Sequence, residues 1–147
     1  MAERNIFAEM DPIFHPGSVA IIGATGKLGK VGRLFMARFV EAGFRELYAV
    51  NPGEREIMGI KSYPTVPDIP HPVDFAMILT PTDSALQAVR ECAAKGVKTI
   101  VITTSGFAEA GRKGEELQRE MVRVARSGGC RMNIIVVILR YFSDNGG

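Results

Sequence analysis

Short unbroken runs of apolar residues alternate along the chain with longer segments in which apolar residues recur every three or four positions. Unbroken runs predict strands buried on both faces, whereas the three-to-four spacing is typical of amphipathic helices. The pattern therefore predicts strands that are separated by helices. The predicted strands are Val19–Ile22, Leu47–Val50, Phe75–Leu79, Thr99–Ile102 and Ile134–Leu139.

Three amphipathic helices are predicted between these strands. The first runs from about Lys30 to Ala42, the second begins where Thr82 or Asp83 caps it, and the third covers Gly111–Arg126. Gly43 and Gly96 are expected to end the first two helices. The side chains expected to face the sheet are Val31, Leu34, Phe35, Phe39, Ala42, Ala85, Leu86, Val89, Cys92, Ala93, Leu117, Met121 and Val124.

Prolines punctuate the segment from Glu54 to Pro72. We expect a loop there, with at most a short strand at Ile60–Ser62 and one helical turn. The alternation of elements implies an α/β fold, a Rossmann-like doubly wound and mostly parallel sheet of about five strands with helices on both faces. We expect one domain over residues 1–147, with an extended lead-in at 1–17 and a polar tail at 141–147.

Charge and composition exclude several classes of protein. A formal net charge of +2 over 147 residues, without a dense run of Lys or Arg, argues against nucleic acid as a partner. The apolar runs are too short to cross a membrane, and the first residues lack a signal-peptide pattern. Cys92 and Cys130 have neither disulfide density nor metal-ligand spacing, so we expect no metal site and a cytoplasmic protein.

Three glycines, Gly23, Gly26 and Gly29, follow the first predicted strand and precede a helix. Free amides at such a helix start and the helix dipole both favour an anion such as a phosphate. The alternative is that the glycines only permit a tight strand-to-helix turn. A P-loop is disfavoured because Lys27 is followed by Leu28 rather than by Ser or Thr.

The loop after the second strand discriminates between nucleotides. NAD-binding domains usually place Asp or Glu there to hold the ribose, but this chain has Asn51, and Glu54 lies beyond a Pro-Gly turn. Arg55 would suit a phosphate on the ribose, as in NADP or coenzyme A (CoA). Alternatively, these charged residues only form a solvent-exposed loop tip and bind no ligand.

No catalytic set is evident in the sequence. His15 and His71 lie in proline-flanked loops without an adjacent carboxylate or nucleophile. Ser105 lacks the surrounding Gly-x-Ser-x-Gly of a nucleophile elbow. We therefore interpret Ser105 as a hydroxyl that positions a ligand or begins a helix, and we assign no catalytic residue.

An ordered series of motifs resembles the N-terminal CoA-binding domain of the ADP-forming acyl-CoA synthetases, which is related to the succinyl-CoA ligase α subunit. The resemblance covers roughly residues 11–131. The motifs are Asp11-Pro12-Ile13-Phe14-His15-Pro16-Gly17-Ser18-Val19-Ala20-Ile21-Ile22-Gly23-Ala24, Tyr48-Ala49-Val50-Asn51-Pro52, Ile57-Met58-Gly59, Tyr63-Pro64-Thr65-Val66, Asp68-Ile69-Pro70, Pro72-Val73-Asp74 and Ser105-Gly106-Phe107-Ala108-Glu109.

The resemblance implies that CoA or an acyl-CoA binds across the carboxyl ends of the strands. Within the glycine turn of Gly23, Gly26 and Gly29, it implies that Thr25, Gly26, Lys27 and Leu28 meet the nucleotide and its phosphates. The residues implied at the adenosine end are Asn51, Pro52 and Arg55. Those implied along the pantetheine path are Thr80, Pro81, Thr103, Thr104 and Ser105.

The chain departs from the family pattern after its last predicted strand. The family has a Gly-Pro-Asn-Cys motif there, whereas this chain has Met132–Arg140, and it lacks counterparts of the phosphorylatable histidine and the ATP-grasp portion. The leading hypothesis is therefore a CoA-binding module whose chemistry belongs to ligase partner domains or a partner subunit. The alternatives are an NADP-binding oxidoreductase domain and a regulatory Rossmann domain.

Overall fold

The structure is a computed structural model that describes residues 15–103 and 111–134. In these residues, seven strands alternate with three α-helices and one 3-10 turn at Val66–Asp68. The strands are β1 (Ser18–Ile22), β2 (Glu46–Val50), β3 (Glu56–Ile57), β4 (Ile60–Tyr63), β5 (Phe75–Ile78), β6 (Thr99–Ile102) and β7 (Arg131–Ile134). The helices are α1 (Val31–Glu41), α2 (Thr82–Lys95) and α3 (Arg112–Ser127).

The seven strands form one sheet in the order β3-β4-β2-β1-β5-β6-β7. Every neighbouring pair is parallel except β3 and β4. The chain winds outward from β1 to β2 and β4 on one side, and then returns to place β5, β6 and β7 on the other. The order of strands thus reverses between β1 and β5, and this arrangement confirms the predicted doubly wound α/β fold.

Side chains of successive β1 residues enter two separate cores, because neighbouring residues of a strand point to opposite faces. Val19 and Ile21 pack in the core that includes Met36 of α1. Ala20 and Ile22 pack in the core that includes residues of α2 and α3. Helices therefore cover both faces of the sheet, which explains why β1 is buried at every position.

The helix boundaries agree with the prediction to within a residue or two, but the buried face of α1 differs from it. The buried residues of α1 are Gly32 and Met36, whereas Leu34 is exposed. The helices α2 and α3 bury the predicted Val89 and Met121. Gly43 and Gly96 have positive φ, as expected for glycines that end helices.

The predicted cap of α2 is wrong. The capping position belongs to Pro81, and neither Thr82 nor Asp83 caps the helix because both lie in its first turn. A proline before the first turn sets the backbone direction without supplying a side-chain acceptor. In the described ranges, 15–103 and 111–134, no helix is long and apolar enough to cross a membrane.

Two strand predictions need correction. The segment predicted as a loop contains the β3–β4 hairpin, whose turn places both Met58 and Gly59 at positive φ. A methionine is an unusual residue for that conformation, so the sequence carries little turn signal. The strand β7 begins at Arg131, three residues before the predicted start, and residues 135–139 of the predicted strand lie outside the described residues.

Candidate functional site

The glycine turn begins where β1 ends, between its two neighbouring strands. Gly23 has a φ of 90°, and its amide donates a hydrogen bond to the carbonyl of Val50 at 3.0 Å. A Cβ atom added to Gly23 would lie 3.1 Å from the carbonyl carbon of Leu79. Only glycine suits this place, because the backbone is left-handed and the adjacent strand is in contact.

The glycine that brings α1 close to the sheet is Gly32, which the sequence analysis did not single out. A Cβ atom on Gly32 would lie 2.1 Å from the carbonyl oxygen of Gly23. Gly29, in contrast, has open space around its Cα atom. The sequence does carry a signal for Gly32, because the spacing of three residues between glycines continues from Gly29 to Gly32, inside the predicted helix.

The loop after β2 folds back onto the glycine turn. The side-chain amide of Asn51 donates a hydrogen bond to the carbonyl of Ala24 at 2.8 Å. Its side-chain oxygen accepts a bond from the amide of Gly53 at 2.7 Å, which closes a tight turn. Asn51 thus joins the loop after β2 to the glycine turn.

Glu54 extends this junction to the middle of the glycine turn. One carboxylate oxygen accepts a hydrogen bond from the amide of Gly26 at 3.0 Å, and the other accepts one from the Asn51 side chain at 3.0 Å. Glu54 lies beyond the Pro-Gly turn in the sequence, and the turn closed by Asn51 brings its carboxylate back to the glycine turn. The nearby Thr25 side chain and the hydrogen bond from the Gly26 amide hold the pKa of Glu54 below its usual value, with a further contribution from the charge of Lys27.

Other groups of the glycine turn are also engaged within the chain. The guanidinium of Arg33 donates a hydrogen bond to the carbonyl of Gly26 at 2.7 Å. The amide of Lys27 donates one to the Thr25 hydroxyl at 3.2 Å. The turn is therefore held by bonds within the chain, and Lys27 and Arg33 bring positive charge close to it.

A cleft of about 520 Å³ opens beside this junction, at the carboxyl ends of β1, β2 and β5. It brings together four of the predicted binding residues, and α2 supplies its remaining wall, including the acidic Asp83 and Glu91. The lining residues are Ile22, Gly23, Val50, Asn51, Pro52, Pro64, Thr80, Asp83, Ser84, Gln87, Ala88 and Glu91.

Other predicted residues lie outside this lining. Leu28 and Gly29 border a separate depression along α1, where the Leu28 side chain is 82% exposed. Arg55 and Pro81 are exposed. Thr103 follows β6, and its buried hydroxyl has no hydrogen-bond partner among the described residues. Thr104 and Ser105 lie outside the described residues.

The fold and the site together define the class of protein to which the chain belongs. A parallel doubly wound sheet with a glycine turn and a cleft at its switch point is the arrangement of Rossmann-like ligand-binding domains. More specifically, the chain belongs to the CoA-binding domain family, whose model matches residues 17–137. This match confirms the family that the sequence motifs indicated.

Similar proteins come from archaeal ligases. The alpha subunit of ADP-forming acetate–CoA ligase I from Pyrococcus furiosus is 41% identical over 128 residues, covering 84% of this chain and 28% of that subunit. ADP-forming acetate–CoA ligase II from Archaeoglobus fulgidus is 39% identical over 125 residues, covering 84% of this chain and 19% of that protein.

A solved structure shares the same fold at similar identity. The apo form of acetyl-coenzyme A synthetase 1 from Ca. Korarchaeum cryptofilum matches with a TM-score of 0.79 and 40% identity, covering 84% of this chain and 27% of that one. The chain therefore spans less than a third of the length of these relatives. It is homologous to one part of the ADP-forming acyl-CoA synthetases.

Proposed function

We propose that this chain binds CoA or an acyl-CoA at the carboxyl ends of β1, β2 and β5, as the CoA-binding module of an ADP-forming acyl-CoA synthetase system. The observation that carries the proposal is the junction between the glycine turn and the Asn51 loop, which borders the cleft in a chain of the CoA-binding family. Phosphates lie at the glycine turn, and the pantetheine arm follows the cleft.

The distribution of charge supports this orientation of the ligand. Lys27 and Arg33 lie on the glycine-turn side, and Arg55 follows the Asn51 loop. The α2 side of the cleft carries Asp83 and Glu91 instead. Phosphates are favoured near the cations, whereas the uncharged pantetheine arm carries no charge for the carboxylates to repel.

The chemistry is assigned to other domains or to a partner subunit. The ring of His71 stacks against Tyr48 at a centroid distance of 6.0 Å, and His71 is not among the residues that line the cleft. The similar ligases are several times longer than this chain. A binding module that presents CoA to a catalytic partner accounts for both facts.

Thermal unfolding with added ligands tests the proposal. CoA at 100 times its dissociation constant should raise the free energy of unfolding by ~2.7 kcal/mol, because only the folded state binds it. NAD and NADP at the same concentrations should have no such effect. An unchanged unfolding temperature in millimolar CoA, or equal stabilisation by NADP, would contradict the proposal.

A matched pair of variants locates the effect at the glycine turn. In Gly26→Val the new side chain meets the Glu54 carboxylate, since a Cβ atom would lie 3.1 Å from Oε1, and it obstructs the approach of a ligand to the backbone. This variant should lose the response to CoA. Ala42→Val also introduces a valine, at an exposed position at the far end of α1 about 16 Å from Val31, and should keep the response.

A further inference from the structure

We propose that Glu54 is an internal anion that occupies the phosphate position of the glycine turn, so that a ligand phosphate binds there by displacing this carboxylate. The inference rests on the proposed function, because it concerns the same turn. It makes Glu54 a residue that sets the affinity for phosphate-bearing ligands.

The first support is the set of donors that Glu54 engages. Its carboxylate accepts hydrogen bonds from the Gly26 amide and the Asn51 side chain, each at 3.0 Å. A backbone amide of a glycine turn beside a side-chain amide is the kind of donor set that binds phosphate oxygens. In this structure the Glu54 carboxylate, itself an oxyanion, already accepts the hydrogen bonds of these donors.

The second support is that the neighbouring amide is also engaged. The amide of Lys27 donates to the Thr25 hydroxyl at 3.2 Å. The amides of Gly26 and Lys27 are thus both satisfied inside the chain. A phosphate that binds both amides must replace the bond from Gly26 to Glu54 and the bond from Lys27 to Thr25.

The third support is electrostatic. A phosphate and the Glu54 carboxylate repel each other when they share one set of donors, so they compete for the turn. Lys27, which attracts Glu54, offers the same attraction to an incoming phosphate. The cations near the turn stabilise whichever anion is bound.

A different role for the carboxylate predicts the opposite outcome. If Glu54 instead accepted hydrogen bonds from ribose hydroxyls, as the acidic residue of many dinucleotide-binding domains does, then removal of its charge would weaken binding of the ligand. The sign of the change in affinity therefore separates competition with a phosphate from recognition of a ribose.

The test uses Glu54→Gln, which keeps the size of the side chain and one acceptor oxygen but removes the charge. The matched control is Glu56→Gln, which removes the same charge from an exposed position two residues along the same segment. Calorimetry measures CoA binding. The amide resonance of Gly26, followed by NMR during addition of inorganic pyrophosphate, measures binding at the turn without CoA.

Glu54→Gln should bind CoA about threefold to fivefold more tightly than the original protein, a range typical of the loss of one partly screened charge interaction. It should also reach half-saturation with pyrophosphate at a correspondingly lower concentration. Glu56→Gln should change neither value. The difference between Glu54→Gln and the original protein should shrink in high salt.

Equal or weaker binding by Glu54→Gln would overturn the inference, as would a Gly26 resonance that pyrophosphate moves in neither protein. Failure of the original protein to bind CoA would instead overturn the proposed function. In that event the pyrophosphate titration still decides the role of Glu54. A nuclear magnetic resonance spectrum with unchanged dispersion establishes that the variants are folded.

Discussion

Glu54 joins two loops that lie 28 residues apart in the sequence. Its neighbours explain how it does so: Asn51 closes a turn on the amide of Gly53 and holds the carboxylate with its own side-chain amide. The sequence identifies Asn51 as a residue after a strand, but it does not reveal the direction in which the turn sends Glu54. That direction depends on a side-chain hydrogen bond, which a hydrophobic pattern does not encode.

The lowered pKa of Glu54 predicts a pH dependence of stability. The ordinary value is 4.5 and the folded value is lower, so the contribution of the carboxylate is complete above that ordinary value. It is lost as the pH falls through the lowered pKa, because the folded state must then take up the proton. Urea unfolding at a series of pH values should show this loss in the original protein.

The same titration of Glu54→Gln should lack this contribution, so the difference between the two free energies of unfolding should narrow as the pH falls below 4.5. The free energy of unfolding of Glu56→Gln should differ from that of Glu54→Gln by the same pH-dependent amount as that of the original protein. A gap that is constant from neutral to acid pH would show that the Glu54 bonds do not stabilise the fold.

At the scale of elements, the junction of β1 with α1 is set by glycines. The predicted positions of β1, α1 and the turn were right because an unbroken apolar run followed by glycines is a strong signal. The predicted face of α1 was partly wrong, because it was chosen from the large apolar side chains, Leu34 among them. The helix approaches the sheet through Gly32, a residue without a side chain.

Gly32→Ala should destabilise the protein by roughly 3 kcal/mol, because its methyl group would meet the carbonyl oxygen of Gly23 and force α1 away from the sheet. The control, Gly29→Ala, faces open space and should cost only about 1–2 kcal/mol from its left-handed backbone. Urea unfolding of both variants measures the two costs. A smaller loss in Gly32→Ala than in Gly29→Ala would contradict this account of the junction.

At the scale of the whole molecule, the two cores and the doubly wound sheet were predictable, whereas the edge of the sheet was not. The central strands β1, β5 and β6 are nearly continuous buried runs, which a parallel sheet with two covered faces requires. The strand β3 has only two residues and pairs with β4 across an unusual Met58-Gly59 turn. Such a short edge element lacks a detectable periodicity.

The cysteines provide a probe of the intact core. Cys92 and Cys130 are both buried, and burial raises the pKa of each thiol. Native protein should therefore react slowly with a disulfide-exchange reagent, at a rate that rises with urea as unfolding exposes the thiolates. Rapid labelling of either residue without denaturant would show that the core around α2 and β7 opens far more readily than its packing implies.

The central claim is that CoA binds where the glycine turn meets the Asn51 loop, and an NMR titration with CoA tests it most directly. At saturation, the amide resonances of Gly26, Lys27, Gly53 and Thr80 should shift, because they border the cleft or the junction. The amides of Arg119 and Arg123, on the exposed face of α3, should stay in place. A titration that moves no resonance, or that moves only those of α3, would contradict the claim.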